Sequence, residues 1–261
     1  MAAIVAILST ISNRIMGTNV RILGSLHMFP RILPALPTWV EGAYQWAEDL
    51  IVESEPNPTT FLPFTRLPVG DRLSNHLSPA LVASIHAFWA ASLSRSDFEQ
   101  MKPWTAWISF MGRLLDLAPG VELQLLPRAR VDLKGIFELE TIGEVPGLLD
   151  MVPDHVIEDA LQYSVADTGR MRATCTATHA AWVARDGAEV YRLASSVPSY
   201  HSELGDTMIR ERSSRWIPRL VPAFGTGRRT LVMVGTAHLF GAGGLTAGLQ
   251  VASGRLRNQL P

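Results

Sequence analysis

Short apolar runs that end in polar turns recur along the sequence. Runs of about four to eight apolar residues are typical of buried β-strands when turn residues flank them. The clearest run, residues 231–235, leads into Thr-Ala-His, and a similar run at residues 20–24 leads into Ser-Leu-His. Two copies of a predicted strand with the pattern Gly-x-x-His therefore stand near opposite ends of the chain. They place His27 and His238 directly after strands.

The same pattern predicts three strands and a helix in the first part of the chain. Residues 3–10 and 18–24 are rich in apolar and β-branched side chains, which predicts a hairpin or two adjacent strands. Apolar residues at helical spacing predict a helix over residues 38–50, and the run at 50–53 predicts a strand ending in Glu53. A strand, a helix and a strand close together form a βαβ unit, which favours a parallel sheet.

The middle of the chain has a helical pattern, interrupted by one predicted strand over residues 131–140 that ends in Glu140. We therefore expect an α/β fold: a mixed central sheet formed by the N- and C-terminal regions, with a largely helical middle section. Because 261 residues fit one domain that carries an insertion, we expect a single domain over residues 1–261 with a helical insertion at about 60–220. The predicted helices of the middle section cover residues 78–117, 121–132, 155–185 and 203–220.

Composition and charge exclude several classes of protein. The chain is 47% hydrophobic and 18% charged, and its net charge of −1 gives no electrostatic basis for binding nucleic acid or an anionic membrane surface. No stretch approaches the roughly 20 apolar residues of a transmembrane helix. The apolar start lacks the basic region of a signal peptide; we interpret it as a first strand, with an export signal as the alternative. The compartment, cytoplasmic or periplasmic, stays open. Cys175 is the only cysteine, so no intrachain disulfide forms.

Four candidate functional residues stand at the ends of predicted strands: His27, Glu53, Glu140 and His238. If these strands lie parallel in one sheet, their side chains meet at one edge. Two imidazoles and a carboxylate are a common ligand set for a divalent metal with an activated water, and the second carboxylate could act as general base or hold a proton of a metal-ligating side chain. Each residue alone is more often structural, because a histidine after a strand can simply cap a loop.

Arg212 is a candidate for a different reason. It lies on a helix with an apolar face, where its guanidinium could bind a carboxylate of the site or a substrate oxyanion. The alternative is a surface arginine on a basic helix. We expect three tryptophans to lie either in the core or in the wall of an apolar groove: Trp89, Trp104 and Trp107. The spacing of Cys175 and His179 indicates only a weak candidate pair of metal ligands.

The motifs taken together resemble the TraB/GumN group, which includes the Tiki metalloproteases. Their order and spacing match from about residue 18 to 252. Ser213 stands where the family usually has asparagine, and Glu122 looks like the acidic residue of its Gly-Val-Asp element. The matching segments are GSLH at 24–27, LIVE at 50–53, FELET at 137–141, RSSRW at 212–216 and VGTAHLFGAGGL at 234–245.

The resemblance implies a metal-dependent hydrolase, since Tiki-like members cleave peptides with manganese or cobalt. His27 and His238 would be metal ligands, Glu53 a ligand or base, and Glu140 and Arg212 supporting groups. We therefore expect a divalent metal, Mn, Co or Zn, and a peptide or small-molecule substrate, with the oligomeric state left open. Two alternatives remain: a metal-free esterase or amidase similar to erythromycin esterases, and a non-catalytic protein that binds a peptide or signal.

Overall fold

The computed structural model confirms the α/β fold. It describes residues 8–9, 19–31, 36–55, 61–89, 93–241 and 243–257. Most of the predicted strand over residues 3–10 lies outside these ranges. The described strands are β1 (Leu8–Ser9), β2 (Val20–Ser25), β3 (Met28–Pro30), β4 (Asp49–Val52), β5 (Leu117–Pro119), β6 (Gly135–Glu138) and β7 (Thr230–Gly235).

Five strands form the central sheet in the order β1-β2-β7-β4-β6. β1 is antiparallel to β2, and the other four strands are parallel. The last strand in sequence, β7, therefore occupies the middle of the sheet, where it pairs with both β2 and β4. In β4 and β7 every residue is buried, because helices cover both faces of this parallel sheet.

Eleven α-helices surround or extend this sheet in the described part of the chain. A short α-helical turn at Glu203–Gly205 and a π-helical stretch at Asp206–Glu211 lead into the tenth. The helices are α1 (Thr38–Trp46), α2 (Pro79–His86), α3 (Arg95–Glu99), α4 (Pro103–Leu114), α5 (Val121–Val131), α6 (Glu144–Leu149), α7 (Asp154–Ala166), α8 (Thr168–Val183), α9 (Gly187–Ala194), α10 (Arg212–Leu220) and α11 (Leu245–Arg257).

Successive side chains of each strand point to opposite faces of the sheet, and they pack into two apolar layers, one on each face. On one face Leu231 and Met233 of β7 pack with α1, α5 and Trp182 of α8. On the other face Val232 and Val234 pack with α10 and α11, including Trp216. The sheet is thus the middle layer of an α/β/α sandwich.

The helical middle section has a core of its own. Helices α2, α3, α4 and α7 bury a third apolar cluster, in which Phe98 and Phe110 are fully enclosed. Trp89 and Trp104 belong to this cluster, so the structure places both of them in the core. Among the described residues, no helix has both the length and the apolar character needed to cross a membrane.

A small second sheet links the two regions. β3 and β5 pair antiparallel, with Phe29 opposite Ala118, and we call this pair the β3–β5 ribbon. Helix α5 begins directly after the ribbon. The predicted strand 131–140 proves shorter: Val131 ends α5, Leu133 has a positive φ of 55°, and the strand begins only at Gly135. The left-handed turn ends the helix and delays the strand.

Candidate active site

The carboxyl ends of the four parallel strands meet at one edge of the sheet, as the sequence predicts. Glu53 follows β4 directly, His27 and Glu140 lie two residues after β2 and β6, and His238 lies three residues after β7. Arg212, the first residue of α10, reaches the same place. We call these five residues the candidate active site.

The two histidines face one oxygen of Glu53. Nε2 of His27 lies 3.4 Å from Glu53 Oε1, and Nε2 of His238 lies 3.7 Å from the same atom. That oxygen also accepts the backbone N–H of Gly235 at 2.6 Å. A Cβ added at Gly235 would stand 3.0 Å from His27 Nε2 and 3.3 Å from Glu53 Oε1. The glycine of the second Gly-x-x-His motif therefore keeps the space between these groups free of side-chain atoms.

The outer nitrogen of His27 has a carboxylate partner. Nδ1 of His27 lies 3.3 Å from Glu122 Oε1, and the hydroxyl of Ser25 donates to the same oxygen. Helix α5 brings Glu122 there because the N–H of Gly120 donates to the carbonyl of His27 at 2.9 Å. Glu122 is buried, and its Oε2 has no hydrogen-bond partner among the described residues. Glu122 thus holds His27 with Nε2 turned towards Glu53.

The outer nitrogen of His238 has a hydroxyl partner. The Ser213 hydroxyl donates to the carbonyl of Ile209 at 2.7 Å, so its oxygen accepts from His238 Nδ1 at 3.0 Å. This assigns the hydrogen of a neutral His238 to Nδ1 and leaves a lone pair on Nε2. The ring of Trp216 lies against His238, with 4.4 Å between centroids.

Arg212 joins the two carboxylates of the site. Its Nη2 donates to Glu53 Oε2 at 2.6 Å, and its Nε donates to Glu140 Oε1 at 3.0 Å. Nη1 donates to the carbonyl of Met208 at 3.1 Å, and Trp216 Nε1 donates to Glu140 Oε2 at 3.3 Å. Both oxygens of Glu140 are therefore occupied. The guanidinium keeps one N–H, on Nη1, without a partner in the described part of the chain.

The electrostatics of the site separate its two histidines. Burial lowers the pKa of His27, but the charges of Glu122 and Glu53 outweigh it and raise that pKa well above the ordinary value. Burial lowers the pKa of His238 to about 3, so this ring is neutral. Burial raises the pKa of Glu53, but His27, Arg212 and His238 overcome this effect and bring the pKa well below its usual range. Glu53 is therefore ionised.

The site opens to solvent on the side of His27. The side chain of His27 is 52% exposed, whereas that of Glu53 is 8% exposed and that of His238 is 3% exposed. Arg212 and Glu140 are buried equally well. His27 is therefore the residue of the site that a molecule from solution meets first.

Some functional side chains were missed by reasoning from strand ends alone. Glu122 and Ser213 lie on helices and bond to the outer nitrogens of the histidines; the motif comparison pointed to both positions without giving them a role. The weak metal pair of Cys175 and His179 has no third ligand among the described residues, and His179 packs against the rings of Phe29 and Trp182. Trp107 lines a cavity in the helical middle section.

The donor set fits a divalent metal in its chemistry. Two imidazole nitrogens and one carboxylate oxygen converge, and each histidine has a partner on its other nitrogen, as metal-ligating histidines do. Two ligands of a tetrahedral ion with bonds of about 2.0–2.1 Å lie about 3.3–3.4 Å apart, close to the separations seen here. Among the described residues, however, no group of three or more His, Cys, Asp and Glu side chains is arranged so that it could hold a metal ion as it stands.

Comparison with known proteins finds a matching family and two similar proteins. The profile of the TraB/PrgY/gumN family matches residues 8–252. The chain is 26% identical over 234 residues to the uncharacterized protein YbaP of Escherichia coli strain K12, with 86% of this chain and 85% of YbaP covered. YbaP of Shigella flexneri matches with the same identity and coverage. No solved structure matches the chain.

Proposed function

The chain belongs to the TraB/PrgY/gumN family, and from this premise we propose that it is a metal-dependent hydrolase that cleaves a peptide or amide bond. One observation carries the proposal. The Nε2 lone pair of His238 and the ionised Oε1 of Glu53 face each other at 3.7 Å, and neither atom has a hydrogen to offer the other. Two acceptors in this position attract a cation: without metal the protonated ring of His27, 3.4 Å from the same Glu53 oxygen, fills that role, and a transition metal, which suits imidazole and carboxylate together, would take its place.

The residues that would hold the metal are His27 and His238, through Nε2, and Glu53, through Oε1; His27, whose raised pKa keeps it protonated without metal, would bind the ion in its neutral form. The ion would be Mn²⁺, Co²⁺ or Zn²⁺, and when bound it lowers the pKa of a coordinated water towards neutrality. Glu122 and Ser213 hold the two rings with Nε2 inward. The bare Cα of Gly235 leaves room beside all three ligands.

The two glutamates and Arg212 have different roles in this proposal, one in proton transfer and the others in positioning. Glu53 is the carboxylate that faces the histidines, so of the two glutamates it is the one placed to accept a proton in the alternative in which it does not bind the metal. Glu140 has both oxygens occupied by Arg212 and Trp216, and it positions Arg212. Arg212 in turn fixes the second oxygen of Glu53. The N–H that remains on Nη1 is the one donor that Arg212 retains for a substrate oxyanion.

A second candidate function is a metal-free esterase or amidase. It is favoured by the direct approach of His27 Nε2 to Glu53 Oε1 at 3.4 Å, which pairs an imidazole with a carboxylate without any ion. In that case His27 and Glu53 activate water by themselves, as general acid and base.

The experiment that tests the proposal is metal analysis of protein purified without chelator and then exposed to Mn²⁺, Co²⁺ or Zn²⁺. We expect near-stoichiometric metal in the wild type and none in the His27→Ala/His238→Ala variant. Glu122→Gln weakens the hold on His27, and we expect metal affinity to fall about 10–100-fold. The matched control is His201→Ala, which removes an exposed imidazole outside the site and leaves metal content unchanged.

A peptide library assayed in parallel separates the candidate functions. Turnover that requires both metal and the two histidines supports the metallohydrolase. Turnover without metal, lost in the His27→Ala/His238→Ala variant, supports the metal-free enzyme. Peptide binding without turnover in any condition contradicts both and leaves the binding protein.

A further inference from the structure

A second cavity with a distinct chemistry lies at the far end of the β3–β5 ribbon. Its volume is about 290 Å³. Three arginines and one aspartate are the charged residues of its wall, so the wall is positive. The lining comes from the end of β3, the end of α4 and one face of α8: Pro30, Arg31, Arg113, Leu114, Leu115, Asp116, Arg172, Cys175 and Thr176.

Two of the arginines are fixed in place but keep their terminal nitrogens available. Nε of Arg113 donates to the carbonyl of Phe88 at 2.6 Å, and Nε of Arg172 donates to the carbonyl of Leu114 at 3.0 Å. Within the described ranges, no carboxylate or carbonyl accepts from the terminal nitrogens of either side chain. Each guanidinium therefore presents two terminal nitrogens with four N–H donors, and the bond from Nε to a backbone carbonyl orients them.

The third arginine is neutralised by its neighbour. Nε of Arg31 donates to Asp116 Oδ1 at 2.7 Å, and the backbone N–H of Arg31 donates to the carbonyl of Asp116 at 2.9 Å. Two positive charges of the wall consequently remain without a carboxylate partner. The thiol of Cys175 does not compensate them, because burial raises its pKa and keeps it neutral.

We propose that this cavity binds a compact oxyanion, the carboxylate or phosphate group of a small molecule. Two guanidiniums with free terminal nitrogens match the paired oxygens of such a group. Cations are disfavoured by the three arginines. Nucleic acid does not fit, because the cavity offers only two unpaired charges and the chain as a whole is not basic.

The oxyanion cavity is separate from the candidate active site. His27 precedes the first pair of the ribbon and Arg31 follows its last pair, four residues on. Four residues of extended chain span roughly 13 Å. The proposal therefore stands whether or not the protein is a hydrolase.

The test is calorimetric titration at low ionic strength with inorganic phosphate, with N-acetylalanine and with its uncharged amide. We expect Arg113→Gln/Arg172→Gln to weaken binding of the preferred anion at least tenfold, because the free donors are lost. The matched control, Arg170→Gln/Arg192→Gln, removes the same charge from exposed positions outside the cavity and should change affinity less than twofold.

A second variant moves affinity in the opposite direction. Asp116→Asn removes the only carboxylate of the wall and frees Arg31, so we expect tighter anion binding, by roughly threefold. Asp116 has a φ of 47°, and asparagine tolerates this left-handed conformation. Misfolding cannot mimic a gain in affinity, which keeps the proposal falsifiable if the arginine variant is unstable.

The outcomes also separate the two anion classes. Tighter binding of phosphate than of N-acetylalanine assigns the cavity to phosphate groups, and preference for N-acetylalanine over both phosphate and the amide assigns it to carboxylates. Absence of binding to the wild type overturns the proposal. So does an equal loss in the control variant, or loss of the site in the His27→Ala/His238→Ala protein.

Discussion

The sheet region and the helical region of the molecule bury different kinds of side chain. In the sheet region, formed by the central sheet with α1, α5, α10 and α11, the buried residues include six titratable ones: Asp49, Glu53, Glu122, Glu140, Arg212 and His238. In the helical region, residues 61–116 and 144–178, the described core is almost entirely apolar, and its buried polar residues are Thr65, Thr105 and Ser164.

This difference separates the source of stability from the source of chemistry. Burying a charge is costly unless partners compensate it, and the sheet region supplies these partners at the strand ends. The core of the helical region buries no charged group among the described residues and gains its stability mainly from packing. Substitutions in the two regions should therefore fail in different ways.

The largest effect is expected where the buried charges meet. Replacing Arg212 with methionine keeps most of the side-chain volume but leaves Glu53 and Glu140 without their cation. We expect the free energy of unfolding to fall by about 3–5 kcal/mol, measured by urea denaturation, and metal binding to be lost as well.

The control for this loss is Arg215→Met, an exposed position on the same helix. Surface substitutions of this kind change stability by about 0.5 kcal/mol or less. A stable Arg212→Met protein that still binds metal would show that the two glutamates do not need the arginine, and the contrast between the regions would then be false.

A packing defect in the helical region should reduce stability and spare the chemistry. Phe110 is fully buried and packs edge-on against Phe88 at 4.9 Å between ring centroids. Phe110→Ala should cost about 3–5 kcal/mol of unfolding free energy, because it leaves a cavity in a well-packed core. The folded protein should bind metal with unchanged affinity. Phe137→Ala, at an exposed phenylalanine, is the matched control. Weakened metal binding in Phe110→Ala would show that packing in the helical region affects the site, which would contradict the separation of the two regions.

The smallest effect is expected from a charge at the edge of the helical region. His76 lies between Asp71, at 2.8 Å, and Asp154, at 2.7 Å. The hydrogen bond with Asp71 raises the pKa of His76 above its ordinary value of 6.5. In return, the hydrogen bonds that Asp71 accepts, of which the one with His76 has the largest effect, lower the pKa of Asp71 to about 2. All three groups are partly open to solvent, so the stabilisation is small.

The sign of the pH dependence follows from these shifts. The contribution of His76 is complete below the unfolded pKa of 6.5 and is lost as the pH rises through the raised folded pKa. The contribution of Asp71 is complete above about pH 4 and is lost as the pH falls towards 2. We expect the difference in urea midpoint between wild type and His76→Gln to shrink from pH 5.5 to 8.5. A difference that stays constant over this interval would show that His76 acts by packing alone.

The sequence was informative where an apolar run stops at a polar residue. Such a boundary predicted His27, Glu53 and His238 at strand ends, and the parallel arrangement then brought them together. Glu140 was found with less precision, because its strand is shorter than the apolar pattern suggests and ends at Glu138.

Other parts of the site could not be predicted from local pattern. Apolar runs do not reveal which strands are neighbours, so the central place of β7 was not visible. Glu122 and Ser213 act across the fold, on histidines more than 20 residues away in sequence, and their own surroundings resemble ordinary helix positions. The three-residue strands of the β3–β5 ribbon both contain proline, which masks any strand pattern.

The central position of β7 has a consequence for biosynthesis. β2 and β4 have no strand between them until β7 has been synthesised and pairs with both. The histidines of the two Gly-x-x-His motifs are residues 27 and 238. At about 5–20 residues per second, the ribosome needs roughly 10–40 s to travel between them. Once β4 has been made, the edges of β2 and β4 that pair with β7 have no partner for the rest of this interval. The nascent chain therefore cannot bring its two histidines together during that time.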